Sequence, residues 1–308
     1  MEIEAFSFKT DDGIDISAYR WLPDDKSSLK GVVQISHGMA EHAARYENFA
    51  AVLTKAGYAV YANDHRGHGK TAGSLENVGY LAPINGWNLV VSDMYKLNRI
   101  IANIHPNLPL YLLGVSMGSL LSRSFIIEYG DKLSGVLLLG TNGDPGFLKY
   151  IGLLISKIEM KIKGKKARST ILDNLSFGKY NKAFTPNRTK FDWLSIDTSN
   201  VDKYVDDPFC GGIFSAGFFY DLVTGVNDIG KLSNIEKAPK DLPVLFLSSE
   251  DDPVGDMTRG VLQVYDLLKK AGIRDVNYKF YSGVRHEILN DINKEEVYRD
   301  IIEWLDKH

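Results

Sequence analysis

The fold is decided by residues 110–118, which read LYLLGVSMG. The four apolar residues 110–113 predict a short buried strand, and residues 120–129 predict a helix. Between them, Gly114-Val115-Ser116-Met117-Gly118 has the pattern G-x-S-x-G, in which a serine stands on a sharp turn from strand to helix. Glycine on each side leaves room that a Cβ atom would fill. The pattern therefore predicts that Ser116 is a nucleophile raised above the edge of a sheet.

Apolar strands alternate with amphipathic helices on both sides of this turn. The chain starts with a predicted β-hairpin, Ile3 to Phe8 and Ile14 to Trp21. Further strands are predicted at 32–35, 58–63, 110–113, 136–139, 244–247 and 278–281, and helices at 45–56, about 90–104, 120–129, 258–271 and 295–305. This alternation predicts an α/β fold, in which helices cover both faces of a mostly parallel central sheet.

The alternation of strands and helices stops after Asn142 and resumes at Val244. The segment between them contains apolar and aromatic patches without the alternation of a strand, and it is too long to be a loop of a compact domain. We therefore expect one core domain formed by residues 1–145 and 241–308. A cap subdomain is expected at 146–240.

A serine nucleophile needs a histidine base and a carboxylate, and in this fold both follow the serine along the chain. His286 comes shortly after the last predicted strand, where it would take the proton from Ser116 and return it to the leaving group. The carboxylate would orient the imidazole and stabilise its cation. Three acids follow the preceding strand: Glu250, Asp251 and Asp252.

Two backbone N–H groups are expected to stabilise the oxyanion that forms on the substrate. One belongs to the residue after the nucleophile, Met117, and the other to the loop after an early strand. The strand predicted at 32–35 is followed by His37-Gly38-Met39. This position makes the Met39 N–H the second expected donor.

Together these motifs resemble the monoacylglycerol lipase and lysophospholipase branch of the α/β-hydrolases, which overlaps the serine aminopeptidase (S33) hydrolases. The resemblance covers nearly the whole chain and rests on the segments HGMAEH (37–42), RY (45–46), DHRGHG (64–69) and GVSMG (114–118). The cap sequences FDWL (191–194) and DPFC (207–210) are similar to bacterial lysophospholipase-like members. The resemblance implies an α/β-hydrolase fold, a Ser-His-Asp triad, and neither metal nor cofactor.

The resemblance also selects one acid. In the family the acid stands three residues after a small residue that closes its strand, and Ser249 holds that small position. The catalytic acid is then Asp252, with Asp251 as second choice. Two residues depart from the family pattern: Val115 stands where histidine is frequent, and Ser119 where a second glycine is frequent.

Composition limits the class of protein, its partners and its cellular compartment. The 308 residues carry a formal charge of −3 and are 44% hydrophobic, which is typical of a globular protein and gives no field that would attract nucleic acid. Cys210 is the only cysteine, so no internal disulfide can form. The amino terminus lacks the basic and apolar regions of a signal peptide. We expect a cytoplasmic enzyme that acts on a small-molecule or lipid ester and has no nucleic-acid partner.

Residues 147–168 form a basic amphipathic segment at the start of the cap. Its basic residues are Lys149, Lys157, Lys161, Lys163, Lys165, Lys166 and Arg168. One interpretation is a lid helix that rests on a lipid surface and gives the cap peripheral contact with a membrane. The other, which we favour from the sequence, is a cap helix that packs its apolar face against the core.

An aromatic group in the cap also has two interpretations, as the lining of an acyl pocket or as the core of the cap. It consists of Phe209, Phe214, Phe218, Phe219 and Tyr220. Two other groups are assigned structural rather than chemical roles. The first group is the four histidines His37, His42, His65 and His68, which resemble a metal cluster but have no third ligand in a converging position. The second is Cys210, which has no base beside it that would make it a nucleophile.

The predicted function is that of a serine carboxylester hydrolase that works through an acyl-enzyme. Its expected substrates are monoacylglycerols, lysophospholipids or short-to-medium-chain esters. The alternative is a serine aminopeptidase of the same fold, which needs a cap carboxylate to hold the free amine of its substrate. The available carboxylates are Asp202, Asp206, Asp207 and Asp221. A non-catalytic binding protein of this fold is a third interpretation, which the full set of triad residues opposes.

Overall fold

Eight strands form one sheet in the computed structural model, which describes all 308 residues. The strands are β1 (Glu2–Lys9), β2 (Asp15–Leu22), β3 (Gly31–Ser36), β4 (Tyr58–Asn63), β5 (Leu110–Val115), β6 (Gly135–Leu139), β7 (Val244–Ser249) and β8 (Val276–Tyr281). Their order in the sheet is β1-β2-β4-β3-β5-β6-β7-β8. Strands β3 to β8 run parallel, and β1 and β2 extend one edge as an antiparallel hairpin. The predicted fold class is confirmed.

Ten α-helices connect and cover these strands. They are α1 (Glu47–Lys55), α2 (Gly86–Ile104), α3 (Met117–Tyr129), α4 (Leu148–Lys163), α5 (Thr170–Phe177), α6 (Thr198–Asp206), α7 (Ala216–Ile229), α8 (Leu232–Ile235), α9 (Arg259–Lys270) and α10 (Lys294–Leu305). Helices α4 to α8 all lie between β6 and β7 along the chain, within the segment where the sequence shows no strand pattern.

Helices cover both faces of the sheet, so both faces are buried. Because successive strand residues point to opposite sides, neighbouring residues of one strand enter different cores. Leu112, Leu138 and Phe246 pack in the same core as side chains of α2, α3 and α9. Their neighbours Leu113 and Leu139 belong to the core on the other face, with side chains of α1 and α10. The parallel strands can therefore be apolar throughout, as the sequence suggested.

Helix α3 begins at Met117, three residues earlier than predicted. The Ser116 carbonyl oxygen accepts hydrogen bonds from the Ser119 N–H at 2.9 Å and the Leu120 N–H at 3.3 Å, so helical bonding starts directly after the serine. The sequence Met-Gly-Ser carries no apolar periodicity, which is why the first turn is invisible in the pattern. The early start brings the amino end of the helix to Ser116.

The aromatic group belongs mainly to the core. Phe214, Phe218 and Phe219 are buried against side chains of the sheet and of α2 and α3. Only Phe209 and Tyr220 of this group are half-buried. The cap-core interpretation is therefore correct for the three buried phenylalanines.

Helix α4 does not pack as we expected. Its buried positions are Gly152, Ser156 and Glu159, while Leu154 and Ile162 are 59% and 74% exposed. The small residues allow a close approach to α7, against which α4 lies, so the longer apolar side chains on the opposite face have no partner. The favoured interpretation, an apolar face packed on the core, holds for Ile155, which packs against the core, but not for the exposed Leu154, Ile158 and Ile162. No helix of the chain has both the length and the hydropathy needed to cross a bilayer.

The first prediction concerns the contact that sets α3 against the sheet. A Cβ atom on Gly118 would lie 1.9 Å from the Ser36 carbonyl oxygen, which is backbone and cannot move aside. Gly118→Ala should lower the free energy of unfolding by at least ~1–3 kcal/mol. Gly152→Ala is the matched control, because its Cβ would meet Val223 at an ordinary 3.6 Å. The control should raise stability by ~0.5–1 kcal/mol in urea unfolding. Equal effects of the two changes would contradict the packing described.

Candidate active site

Ser116 stands at the junction of β5 and α3 with a φ angle of 53°, in the left-handed region that residues with a side chain rarely adopt. Its N–H donates a hydrogen bond to the Leu139 carbonyl oxygen at 2.9 Å, which ties the strained residue to the neighbouring strand β6. The side chain is half-buried rather than covered. Strain of this kind persists only where the surroundings hold the backbone in place, and it marks functional sites.

The structure brings His286 and Asp252 together. The Nδ1 atom of His286 lies 2.8 Å from the Oδ2 atom of Asp252, and both side chains are buried. The second carboxylate oxygen, Oδ1, accepts a hydrogen bond from the Val254 N–H at 2.9 Å. Glu250 and Asp251, the other two acids after β7, are exposed to solvent. Burial therefore distinguishes Asp252 from its neighbours.

The charge of Asp252 controls the protonation of His286. Burial by itself lowers the pKa of an imidazole, but the Asp252 carboxylate and its hydrogen bond raise the pKa of His286 above its usual value. The raised pKa means that the buried pair stabilises the imidazolium. That is the form a general base takes after it has accepted a proton.

A cavity of about 370 Å³ joins the predicted site residues. Ser116, His286 and Met39 line it, together with aromatic side chains contributed by the segment 146–240. These aromatic residues are Phe177, Phe191, Trp193 and Tyr204. The Trp193 ring lies 5.2 Å from the His286 ring, measured between centroids. None of the five aromatic residues considered from the sequence as an acyl lining borders this cavity.

The loop after β3 is held by a side chain that the sequence did not single out. The Gly38 N–H donates to the Oε1 atom of Glu41 at 2.6 Å, and the Tyr46 hydroxyl donates to the same oxygen at 2.7 Å. Ala40 has a φ angle of 57°, so the chain reverses sharply after Met39. The N–H groups of Met39 and Met117 have no hydrogen-bond acceptor within the chain.

A buried guanidinium connects this loop to the histidine loop. Arg45 donates to Glu41 Oε2 at 2.7 Å and to both carboxylate oxygens of Glu287, at 2.8 and 2.9 Å. Asn200 in α6 donates to Glu287 at 2.6 Å. Burial opposes ionisation of Glu287, yet Arg45 holds its pKa below the usual range. The loop of Gly38, the residue next to His286, and α6 therefore share one buried ion network. Its only trace in the sequence is the spacing of Glu41 and Arg45.

Three of the four histidines form a buried cluster, and the fourth, His42, lies apart from it. His37, His65 and His68 are completely buried and in ring contact, and the His37 Nε2 atom accepts the His65 backbone N–H at 2.9 Å. Burial lowers the pKa of His65 to about 3 and that of His68 to about 4, so both are neutral. His42 lies apart, with its Nε2 atom 2.8 Å from Asp207.

None of the four carboxylates considered for amine binding borders the cavity. Asp202 pairs with Arg188 on the surface, and Asp207 contacts His42. Asp221 borders a separate cavity of about 320 Å³, where burial raises its pKa to about 6. The acid that the insertion does contribute to the main cavity is Asp173, which is half-buried and has its pKa raised by burial.

The sheet order, the strained serine after β5 and the site at the carboxyl ends of the strands define an α/β-hydrolase. The family described as serine aminopeptidase, S33, matches residues 27–293, and the chain belongs to it.

The relatives include the monoacylglycerol lipase of Mycolicibacterium smegmatis, 29% identical over 98% of this chain and 96% of that protein. Human monoglyceride lipase is 26% identical over 96% of this chain and 88% of that protein. A thermostable carboxyl esterase from Bacillus coagulans, solved in complex with glycerol, superposes with a TM-score of 0.91 at 29% identity, covering 100% of this chain and 99% of that one. The predicted branch of the α/β-hydrolases and the predicted enzyme class, a carboxylic ester hydrolase, are confirmed by these matches.

The second prediction tests the buried ion network. Arg45→Met leaves the carboxylates of Glu41 and Glu287 buried without their shared partner, which should lower the free energy of unfolding by about 3–5 kcal/mol. The matched control is Arg188→Met, which breaks the exposed pair with Asp202 and should cost less than ~1 kcal/mol. Chemical denaturation at pH 7 measures both. A small loss for Arg45→Met would mean that the network contributes little.

Proposed function

We propose that the protein is a serine carboxylester hydrolase in which Ser116, His286 and Asp252 form the catalytic triad. The observation that carries the proposal is the buried contact of 2.8 Å between His286 Nδ1 and Asp252 Oδ2, on the cavity that Ser116 also lines. This contact leaves the other ring nitrogen, Nε2, as the one to face the serine. The same chemistry serves esters of many kinds.

In the proposed reaction, His286 takes the proton of the Ser116 hydroxyl as the serine oxygen attacks the ester carbonyl carbon. Negative charge develops on the carbonyl oxygen, where the Met39 and Met117 N–H groups donate hydrogen bonds. The imidazolium then gives its proton to the departing alcohol, which leaves an acyl-enzyme on Ser116. Water, deprotonated by His286, attacks the acyl carbon, and the acid is released with the serine restored.

We infer that residues 146–240 act as a cap that selects the substrate. They supply the apolar walls formed by Phe177, Phe191 and Trp193, which suit an acyl chain or another apolar group. Monoacylglycerols, lysophospholipids and short-to-medium-chain esters all combine such a group with a small polar alcohol. The names of the relatives, monoacylglycerol lipases and an esterase, favour this class. The aminopeptidase alternative needs a cap carboxylate in the cavity. Its four proposed carboxylates do not border the cavity, but Asp173 does, so the names of the relatives are what favour ester substrates.

We further propose that α4 brings the cap to a lipid surface. Leu154, Ile158 and Ile162 are spaced by four residues and are all exposed, so they form one apolar stripe along the helix. Exposed lysines, among them Lys157, Lys161 and Lys166, flank the stripe. Apolar side chains flanked by positive charge suit the surface of an anionic bilayer.

The third prediction concerns the nucleophile. Ser116→Ala should lower kcat by several orders of magnitude, because the members of a triad act as a unit. The fold should be kept, since the hydroxyl contributes little packing. Hydrolysis of a soluble p-nitrophenyl ester measures the rate. Retention of more than roughly a hundredth of the rate would exclude Ser116 as the nucleophile.

The fourth prediction concerns the acid. Asp252→Asn should lower kcat by ~10⁴, whereas Asp251→Asn, at an exposed position, should have little effect. In the wild type, kcat/KM falls as pH drops through the pKa of His286, which is raised above the usual value of an imidazole, because only the neutral imidazole accepts a proton. Without the Asp252 anion, burial lowers that pKa, so the acidic limb of the pH profile should move to lower pH. A limb that stays in place would argue against the assignment.

The fifth prediction concerns the apolar stripe. A triple change of Leu154, Ile158 and Ile162 to Ser should weaken binding to anionic vesicles at least about tenfold, since burial of one such side chain contributes ~1.5–3 kcal/mol. Hydrolysis of soluble short esters should not change. Ile292→Ser, at an exposed isoleucine outside the cap, is the control. Equal co-sedimentation of all forms, or none, would show that α4 does not bind lipid.

A further inference from the structure

Three potential metal ligands meet beside the catalytic cavity, where the loop after β3 contacts the segment 207–211. They are the His42 Nε2 atom, a carboxylate oxygen of Asp207 and the Cys210 Sγ atom, and these atoms all lie within 4.8 Å of one another. His42 and Asp207 are half-buried, and Cys210 is buried. The proposed ester hydrolysis uses none of the three. Imidazole, carboxylate and thiolate are the ligand types that Zn²⁺ takes in proteins.

The charges around this cluster favour a cation. Arg45 is the guanidinium next to Cys210, and it is already paired with Glu41 and Glu287. With Asp207, three carboxylates surround this single positive charge. The cluster therefore carries excess negative charge in a poorly solvated place, which a divalent cation would neutralise.

We propose that His42, Asp207 and Cys210 bind a soft divalent cation such as Zn²⁺ and that the bound ion slows the hydrolase. Zinc bonds of ~2.0–2.3 Å require these three atoms to draw closer together, by rotation of the side chains. On binding, the Cys210 thiol gives its proton to solvent and the thiolate forms the Zn–S bond. The proton that His42 Nε2 shares with Asp207 is lost to solvent while Nδ1 carries a proton, so that the neutral imidazole binds through the Nε2 lone pair. Three protein ligands leave the fourth position to water, as in zinc sites with an open position.

The position of the cluster explains why the ion would slow the enzyme. His42 lies on the loop that carries Met39, while Asp207 and Cys210 directly precede Gly211 and Gly212, which line the cavity. The two segments already touch, because the Gly211 N–H donates to the Ala40 carbonyl oxygen at 3.0 Å. A metal bridge would lock the cavity wall to this loop and hinder the exchange of substrate and product. This inhibitory part of the inference rests on the proposed function, but the binding site itself does not.

Binding is tested first, by a measurement that needs no activity. Cd²⁺ takes the place of Zn²⁺ as the probe, because a cadmium–thiolate bond gives a charge-transfer absorption in the ultraviolet. Cys210 is the only cysteine, so the band reports on this site alone. The wild type should develop the band with one equivalent of Cd²⁺, and added Zn²⁺ should remove it. No band, or a band that Zn²⁺ does not displace, would overturn the proposal.

Variants then test whether all three residues bind the ion or the Cys210 thiol binds it alone. His42→Gln and Asp207→Asn should each raise the Cd²⁺ concentration at half-saturation by at least about tenfold. His105→Gln, at a half-buried histidine bonded to Tyr61 elsewhere in the fold, should leave it unchanged. If the two cluster variants bind Cd²⁺ as tightly as the wild type, the thiol acts alone and the three-residue site is wrong.

Inhibition is tested with Zn²⁺ in the ester assay, with each variant compared with its own metal-free rate. Zn²⁺ should reduce the wild-type rate, and Cys210→Ala should need at least about tenfold more Zn²⁺ for half-inhibition. If Cys210→Ala is inhibited like the wild type, the ion acts elsewhere, for example at His286, and the inhibitory role is overturned. If the metal-free wild type hydrolyses no ester, the proposed function fails, while the cadmium titration still decides the site.

Discussion

The active site depends on one strained residue, Ser116, whose left-handed backbone is held between two strands. Its N–H is bonded to Leu139 on β6, and the glycine two residues later lets α3 approach the Ser36 carbonyl so closely that no Cβ atom fits. These contacts fix where the serine oxygen stands and where the helix begins. The cores on both faces of the sheet hold the strand ends in place, and the loops of Met39, Asp252 and His286 follow strands of that sheet. The position of every proposed catalytic group is therefore set by the rigid sheet.

A second constraint on the site comes from charge. Arg45 joins Glu41, which fixes the loop of Met39, to Glu287, which is adjacent to His286. Asn200 and Tyr204 of α6 also contact this network, Asn200 by a hydrogen bond to Glu287 and Tyr204 through its ring against the guanidinium. A movement of α6 would change the surroundings of both loops. The ion network thus links the insertion to the proposed catalytic groups, and Glu41, Glu287 and Tyr204 also line the cavity.

The strands and the order of the site residues could be predicted from the sequence because their patterns are local. A buried parallel strand reads as an apolar run, and the loops after these runs carry Ser116, Asp252 and His286. The choice among three consecutive acids could not be made from residue type, because it depends on burial, which only the folded chain defines. The family resemblance pointed to Asp252, and the structure buries it beside His286. Its catalytic role, like those of Ser116 and His286, stays a prediction.

The packing of residues 146–240 could not be predicted from the sequence. Whether Phe177 lines a cavity or Phe218 fills a core depends on how five short helices pack, and both residues look alike in the sequence. The buried face of α4 is a similar case. Its small residues face the protein, whereas Leu154, Ile158 and Ile162 face solvent. A hydrophobic pattern shows that one side of a helix is apolar, but it does not show what covers that side.

The central claim is that His286 and Asp252 activate Ser116 above all other serines of the chain. Reaction with a fluorophosphonate probe, followed by mass spectrometry of the digested protein, tests it most directly. We predict one adduct per chain, on the peptide that contains Ser116, and a loss of labelling when Asp252 is replaced by Asn. An adduct on a different residue, or no adduct on the folded protein, would contradict the account.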